Sequence, residues 1–231
     1  MSDFIYEKTT APCGIAVEEI YGADEKSAKV WKLFAMQIFS EADGDYRMIE
    51  HFENGAPYLE GIAQRITVSH TSHFLVVASL PKTPDIDLTE VNVRTAIGVD
   101  IEKSDRAQVI KIKDKFLTPE ETALLPDADP AEEADPDTVK GFILAWTCKE
   151  ALYKAVMGKA ADWKNDYRIL SLPKIASSLS EATPEKYGKG EIRLHGESES
   201  TIEMTLTSWE TEGHVLTLAF SPKIARYPVG Q

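Results

Sequence analysis

The stretch Ala96-Ile97-Gly98-Val99-Asp100-Ile101-Glu102 gives the clearest structural signal in this chain. It is apolar and β-branched until two carboxylates appear two residues apart, which predicts a buried strand that ends at a polar site. Because side chains at positions i and i+2 share one face of a strand, Asp100 and Glu102 project together while Val99 and Ile101 face a core.

A second stretch, Trp146-Thr147-Cys148-Lys149-Glu150-Ala151-Leu152-Tyr153-Lys154, is rich in good helix formers and predicts a helix. Glu150 and Lys154 are four residues apart and share one face, with Trp146 one turn before them. The opposite face is apolar and suits a core, and it carries Leu144, Cys148, Leu152 and Ala155.

Packing of this helix on the strand would bring three carboxylates and a lysine together. Asp100, Glu102 and Glu150 offer oxygen ligands for a hard divalent cation, and Lys154 offers a positive charge for a phosphate. Taken separately, the strand end is commonly solvated charge, and the helix pair is commonly a surface ion pair worth roughly a few tenths of a kcal/mol. The combination is the more specific signal.

Length and composition indicate a globular protein of one domain or two small ones. The chain has 231 residues, and its hydrophobic share of 43% is enough for a real core. Its two cysteines, Cys13 and Cys148, build no disulfide framework or metal-ligand spacing, and Cys148 is predicted to be a buried, inert thiol. No signal-peptide pattern or membrane-length apolar run occurs, so the expected location is the cytoplasm, without a membrane partner.

The charge pattern argues against nucleic acid as the main partner. The formal net charge is −13, whereas phosphate backbones require clustered Lys and Arg. Basic residues nevertheless collect between Lys103 and Lys115, directly after the first stretch, and acidic residues collect between 116 and 139. A basic segment of this kind is commonly a solvated face, but its position also suits docking of a partner.

Hydrophobic periodicity and turn residues predict the remaining elements. In the first part we expect a helix over about 24–42 and a turn at 53–57, a connector over 81–94, and strands over 14–20, 46–52 and 66–79, the last interrupted around 70–73. In the second part we expect helices over about 105–115, from 118, and from 137 or 138 to 158, and strands over 167–172, 190–194, 201–209 and 214–220.

This order of elements predicts an α+β protein with two similar halves. The N-terminal half is residues 1–94, and the C-terminal half, residues 95–231, carries both stretches quoted above. Each half gives a helix packed on an antiparallel sheet, although no sequence repeat relates the two halves.

Ile-Gly-Val-Asp-Ile-Glu, followed at the family's separation by Trp-x-x-Lys-Glu-Ala-x-x-Lys, resembles the signature of the 4′-phosphopantetheinyl transferase superfamily. The longer, Sfp-type members are monomers of two similar α+β halves with the active site in the cleft between them. The shorter, holo-acyl-carrier-protein-synthase type has about half this length and forms trimers. The length of this chain therefore implies the longer, monomeric type.

The resemblance implies transfer of the 4′-phosphopantetheine arm of coenzyme A to a serine hydroxyl of an apo acyl or peptidyl carrier protein. Adenosine 3′,5′-bisphosphate would be released. The reaction would use Mg²⁺, with Mn²⁺ as the other candidate, because a pyrophosphate under attack needs a metal to neutralise and orient its oxygens. The carrier is expected to be acidic and to dock near Lys103–Lys115.

The resemblance also implies a role for each candidate residue. Asp100, Glu102 and Glu150 would bind the metal. The catalytic residues would be Glu150, as the base for the serine, and Lys154, which would hold a phosphate. Four residues would contact coenzyme A, namely Ser69, His70, Lys149 and Lys154.

The chain departs from the family pattern at one position. Longer members often have Gly-Lys-Pro where this chain has Gly55-Ala56-Pro57, and the missing lysine would help to bind a phosphate of coenzyme A. Lys29, Lys32 and Arg47 are the candidates to replace it.

Two other functions are compatible with the residues alone. A Mg²⁺-dependent phosphohydrolase would use the same carboxylates on a water nucleophile. A non-catalytic module that binds a nucleotide or a carrier is the third candidate, although binding alone does not require a complete metal site. Product analysis after incubation with coenzyme A and apo carriers distinguishes the three.

Overall fold

The computed structural model describes residues 5–10, 16–21, 49–51, 57–59, 66–72, 74–80, 96–156, 162–195 and 199–222. These residues form an α+β fold with a four-stranded, a six-stranded and a two-stranded sheet. The α+β class predicted from the sequence is confirmed. None of the helices in these segments is long and apolar enough to cross a membrane.

The first part of the chain forms antiparallel strands. They are β1 (Ile5–Thr10), β2 (Ala16–Tyr21), β3 (Ile49–His51), β4 (Pro57–Leu59), β5 (Ile66–His70) and β6 (Phe74–Ser79). The four-stranded sheet has the order β1-β2-β6-β5, and β3 pairs with β4. The predicted interruption between two strands near residue 70 is confirmed as the β5–β6 hairpin, closed by a hydrogen bond of 2.9 Å from Thr71 N–H to the Phe74 carbonyl.

The second part combines helices with the six-stranded sheet. Its helices are α1 (Gln108–Lys111), α2 (Lys113–Phe116), α3 (Pro119–Thr122) and α4 (Pro136–Ala155). Its strands are β7 (Ile97–Lys103), β8 (Tyr167–Ser171), β9 (Ile175–Ala176), β10 (Gly188–Leu194), β11 (Ser200–Thr211) and β12 (His214–Phe220). The sheet order is β7-β12-β11-β10-β8, and β9 runs parallel to β11.

Helix α4 begins where its local sequence favours a start. The Asp135 side chain accepts hydrogen bonds of 3.0 Å from the N–H groups of Asp137 and Thr138, and Pro136 occupies the first turn. The prediction of a start near Asp137 is therefore right to within about one residue. The predicted end at 158 is wrong by three residues, because the helix ends at Ala155 and the backbone leaves helical geometry at Val156 (φ −117°, ψ 17°).

Gly98 lets α4 lie directly on β7. A Cβ atom at this position would stand 1.9 Å from the carbonyl oxygen of Ala151 and 2.6 Å from the backbone nitrogen of Ala155. Only a residue without a side chain permits this approach of two backbones. The contact brings the C-terminal half of α4 against the strand that carries Asp100.

The six-stranded sheet has a hydrophobic core on each face. On one face it packs against α4, where Cys148, Ala151 and Leu152 are fully buried. Burial raises the pKa of the Cys148 thiol to about 12, so the predicted inert, buried thiol is confirmed. On the other face, Val99 and Ile101 pack against β6, as the alternation of β7 predicted.

The structure differs from the predicted elements in several places. The helix expected over 105–115 is two single turns, because the backbone leaves helical geometry at Ile112 (φ −111°, ψ 5°). The expected turn over 53–57 does not extend to Pro57, which begins β4. Strands β1, β4 and β9 were not predicted. The helix expected over 24–42 and the connector over 81–94 lie outside the described residues.

Candidate functional site

The outer edge of β7 is covered by side chains of β5. β7 is the terminal strand of its sheet, so its backbone N–H groups on that side have no strand to pair with in the sheet. The hydroxyl of Thr67 accepts from Val99 N–H at 3.3 Å, and the hydroxyl of Ser69 accepts from Ile101 N–H at 3.3 Å. This contact brings β5 to the strand that carries the predicted carboxylates.

Asp100 is buried between β7, β5 and α4, with a relative exposure of 6%. Its Oδ1 accepts from the Lys154 ammonium at 2.7 Å and from the Ser69 hydroxyl at 2.8 Å. Burial raises the pKa of Asp100 above its ordinary value, while Lys154 and Ser69 oppose that shift. Asp100 is therefore a buried carboxylate fixed by two hydrogen bonds, and not a solvated residue at the end of a strand.

Glu150 lies one helical turn before Lys154 and is partly buried. Burial and the negative charges of Asp100 and Glu102 raise the pKa of Glu150 to about 7, and Lys154 opposes the shift. Within the described segments its carboxylate accepts no hydrogen bond. A carboxylate with these surroundings holds or releases a proton near neutral pH.

Glu102 has two donors of its own. Its Oε1 accepts from Lys103 N–H at 3.0 Å, and its Oε2 is bonded to the guanidinium of Arg106. Arg106 lies four residues after Glu102 and was not singled out from the sequence. The i, i+4 spacing would not have identified it, because residues 103–105 are the end of β7 and a turn rather than a helix.

A cleft of about 430 Å³ joins these groups. Its lining comes from β5, from the end of β7 and from one face of α4, and comprises Val68, Ser69, His70, Asp100, Ile101, Glu102, Trp146, Glu150 and Lys154. The structure thus brings together six of the seven predicted site residues. The seventh is Lys149.

Lys149 corrects the sequence prediction. Its side chain is fully buried, and its ammonium lies 2.7 Å from Glu121 Oε1 and donates to the carbonyl oxygens of Lys164, at 2.9 Å, and Tyr167. All three ammonium protons therefore have acceptors inside the protein. Lys149 lies in the same turn as Glu150 but on another face of α4, so it does not reach the cleft to contact coenzyme A.

Glu121 is the buried partner that sequence reasoning missed. Its Oε1 also accepts from Ile169 N–H at 2.7 Å, and its Oε2 accepts from Thr118 N–H at 2.8 Å. The second contact belongs to the capping box of α3, in which the Thr118 side chain accepts from Glu121 N–H. The spacing Thr-x-x-Glu could have predicted the capping box, but not the lysine that completes the ion pair.

The three predicted metal ligands suit a hard divalent cation in chemical type. All three are carboxylates that border one cleft. Repulsion from Asp100 and Glu102 is one cause of the raised pKa of Glu150, and a bound cation would relieve that repulsion. In the segments described above, however, no three His, Cys, Asp or Glu side chains are close enough together to hold a metal. Lys154 and Arg106 provide the positive charge beside Asp100 and Glu102. Cation binding would require the three carboxylates to converge further.

The fold and this cleft agree with the comparison with known families. The model of the 4′-phosphopantetheinyl transferase superfamily matches residues 96–219, which is more than half of the chain. The chain belongs to this superfamily. No curated protein sequence matches the chain significantly.

Proposed function

We propose that the protein transfers the 4′-phosphopantetheine arm of coenzyme A to a serine hydroxyl of an apo acyl or peptidyl carrier protein. The observation that carries the proposal is the cleft in which Asp100, Glu150 and Lys154 meet on two facing elements of the family-matched segment. Membership of the superfamily supports a phosphopantetheinyl transferase; the carrier, the metal and the product are proposals.

Asp100, Glu102 and Glu150 would hold Mg²⁺, or Mn²⁺ in its place. When bound, the cation would neutralise and orient the pyrophosphate oxygens of coenzyme A. Lys154 would hold a phosphate as a point charge, since its ammonium borders the cleft with a side-chain exposure of 26%. His70 lies at the exposed end of β5 beside the cleft, where it can contact the nucleotide.

Glu150 would remove the proton of the attacking serine. The serine oxygen forms a bond to the phosphorus that carries the pantetheine arm, and the bond from this phosphorus to the bridging oxygen breaks. The electron pair leaves with adenosine 3′,5′-bisphosphate, and the serine proton passes to Glu150. A carboxylate without a hydrogen-bond donor in the described segments is available for this proton.

The chain would act as a monomer of two similar halves, residues 1–94 and 95–231, with the active site between them. Contacts of β5 with β7 support this arrangement, because Ser69 from the first half bonds to Asp100 from the second. The cytoplasm is the proposed location, on the sequence features given above. Ala56, Lys29, Lys32 and Arg47, named for the missing phosphate contact, lie outside the described residues.

The carrier would dock at the basic segment 103–115. Three of its basic residues have partners within the protein. Arg106 bonds to Glu102, Lys113 donates to the Ala128 carbonyl at 2.7 Å, and Lys103 lies 3.9 Å from Asp105. Lys111 and Lys115 are exposed and are the better candidates to meet an acidic surface. We expect Lys111→Glu with Lys115→Glu to weaken carrier binding several-fold at low salt, with coenzyme A binding unchanged. Lys189→Glu, on an exposed position of β10, is the control; equal weakening there would refute the docking site.

The decisive experiment incubates the protein with coenzyme A, Mg²⁺ and a panel of apo carrier proteins. A mass gain of one phosphopantetheine arm on a carrier serine is the expected result, and Asp100→Ala is expected to abolish it. Release of free phosphate without carrier modification would identify the phosphohydrolase instead. Binding of coenzyme A without either product would identify the non-catalytic module.

A further inference from the structure

Two hydroxyl groups of β5 make the same contact with β7, and one of them makes a second contact. The Thr67 hydroxyl accepts a hydrogen bond from Val99 N–H, and the Ser69 hydroxyl accepts one from Ile101 N–H. The two acceptors are two residues apart, and so are the two donors. Both side chains are buried, with exposures of 3% and 6%. Ser69 alone also reaches a carboxylate, Asp100, at 2.8 Å.

The second contact fixes the direction of the Ser69 hydroxyl. A hydroxyl has one hydrogen, and the Ser69 oxygen already accepts from Ile101 N–H, so its own hydrogen is given to Asp100. Oδ1 of Asp100 thereby receives two donors, the Ser69 hydroxyl and the Lys154 ammonium. Within the described residues, Oδ2 of Asp100 receives no hydrogen bond.

We infer that Ser69 is a positioning residue for Asp100 rather than a contact for a coenzyme A phosphate. Its hydroxyl holds the carboxylate so that Oδ1 stays with Lys154 and Oδ2 keeps an open lone pair for a cation. The inference rests on the proposed function, because that function gives Asp100 its role as a metal ligand. Hydrogen-bond partners that orient a ligand commonly change metal affinity by about 10–100-fold.

Mn²⁺ binding to the full-length protein, followed by electron paramagnetic resonance without coenzyme A or carrier, tests this role. We expect Ser69→Ala to weaken Mn²⁺ binding by about 10-fold or more. Thr67→Val is the matched control, because it loses the same kind of contact to β7 but none to Asp100, and it should bind Mn²⁺ as the wild type does. Ser69→Thr keeps the hydroxyl and should restore binding.

A double-mutant cycle in urea unfolding tests the contact without any metal. Ser69→Ala and Asp100→Ala should be non-additive by about 10-fold in the unfolding equilibrium constant, as expected for a hydrogen bond to a charged group. Thr67→Val and Asp100→Ala should be additive. The cycle also distinguishes lost positioning from a general loss of stability at the β5–β7 contact.

The outcomes separate this inference from the proposed function. Wild-type Mn²⁺ affinity in Ser69→Ala, an equal loss in Thr67→Val, or an additive Ser69–Asp100 cycle would overturn the positioning role. Wild-type protein that binds no Mn²⁺ would instead overturn the proposed metal site, and the cycle would then decide the Ser69 contact alone. Weakened Mn²⁺ binding in Ser69→Ala, in a protein that modifies no carrier, would support the inference and refute only the transfer.

Discussion

Helix α4 carries two lysine–carboxylate pairs with the same separation and different surroundings. Lys149 lies 2.7 Å from Glu121, and Lys154 lies 2.7 Å from Asp100. The first pair is fully buried, and each ammonium proton of Lys149 has an acceptor. The second pair borders the cleft, where Lys154 is 26% exposed and one oxygen of Asp100 receives no donor from the part of the chain that the structure describes.

The difference shows that the environment of a charge pair, and not its distance, decides its role. A buried pair with every donor satisfied has no capacity left for a ligand, and its contribution is to join α3, α4 and β8. A pair at a cleft, next to a carboxylate without a donor, can exchange partners with a substrate or a cation. Substitutions on the two sides of α4 test this distinction.

Glu150→Gln, on the cleft side of α4, should lower the transfer rate by about 10²–10⁴-fold, because the general base is lost. Loss of a metal ligand adds to that effect. The free energy of unfolding should not fall, since the substitution removes a negative charge beside Asp100 and Glu102. Turnover across a Mg²⁺ titration and urea unfolding measure the two effects.

Glu102→Gln is the matched control for the base. It should be milder, because Glu102 is at most a ligand and already has Arg106 as a partner. High Mg²⁺ should restore only the binding part of the Glu150→Gln defect. Full recovery of the transfer rate of Glu150→Gln at high Mg²⁺ would show that Glu150 is a metal ligand and not the base. A larger loss of rate in Glu102→Gln than in Glu150→Gln would reverse the roles assigned to the two residues.

Lys149→Met should lower the free energy of unfolding by about 3–5 kcal/mol, because it leaves the Glu121 carboxylate buried without its cation. Lys154→Met should cost less, since Asp100 retains the Ser69 hydroxyl and borders the cleft. Urea unfolding of the two variants gives the comparison directly.

Activity should respond in the opposite order. Lys154→Met should lose transfer while folded, whereas folded Lys149→Met should bind coenzyme A as the wild type does. If folded Lys149→Met binds coenzyme A more weakly while its free energy of unfolding is unchanged, the sequence prediction that Lys149 contacts a phosphate would be supported.

Gly98→Ala should lower the free energy of unfolding by about 1–3 kcal/mol, because the new methyl group meets the backbone of α4. The helix must move away from β7, which separates Lys154 from Asp100 and reduces transfer as well. Gly141→Ala in the same helix is the control, since its Cβ would be no closer than 3.6 Å to a neighbour. It should be neutral or stabilising; a similar loss in both variants would contradict the close-approach argument.

The smallest effect is expected where the exposed His195 meets the buried Asp166, with the atoms Nε2 and Oδ1 2.9 Å apart. The hydrogen bond to Asp166 raises the pKa of His195 above its ordinary value. The stabilisation is therefore present below a pH of about 6.5 and is lost as the pH rises through the folded-state pKa. His195→Gln should lower the thermal midpoint slightly at a pH of about 5.5 and leave it unchanged at about 9; an equal change at both would contradict the charge-based contact.

Much of the second half could be predicted because its signals are local. The alternation of β7, the capping residue of α4 and the hairpin between β11 and β12 each depend on neighbours in the sequence. The meeting of Asp100, Glu150 and Lys154 was predicted because a strand period and a helix period each placed carboxylates on one face. The helix over 105–115 was not split in the prediction, since its break at Ile112 carries no Gly or Pro signal.

The partners of the charged residues could not be predicted, because they depend on which distant elements pack together. Lys149 and Lys154 belong to one motif and have the same side chain, yet only the tertiary structure puts Glu121 beside the first. The Ser69–Asp100 bond joins residues 31 positions apart through a contact that no sheet ladder defines. Sequence periodicity gives the face of an element but not the neighbour across from it.

The cover that β5 gives to β7 has a consequence for shortened forms of the protein. A fragment reduced to the family-matched residues 96–219 would lack Thr67 and Ser69, and the apolar, β-branched edge of β7 would be open. Open strand edges recruit strands from other molecules. Such a fragment should therefore self-associate or precipitate, and the residues before 96 act in the intact chain as protection against aggregation.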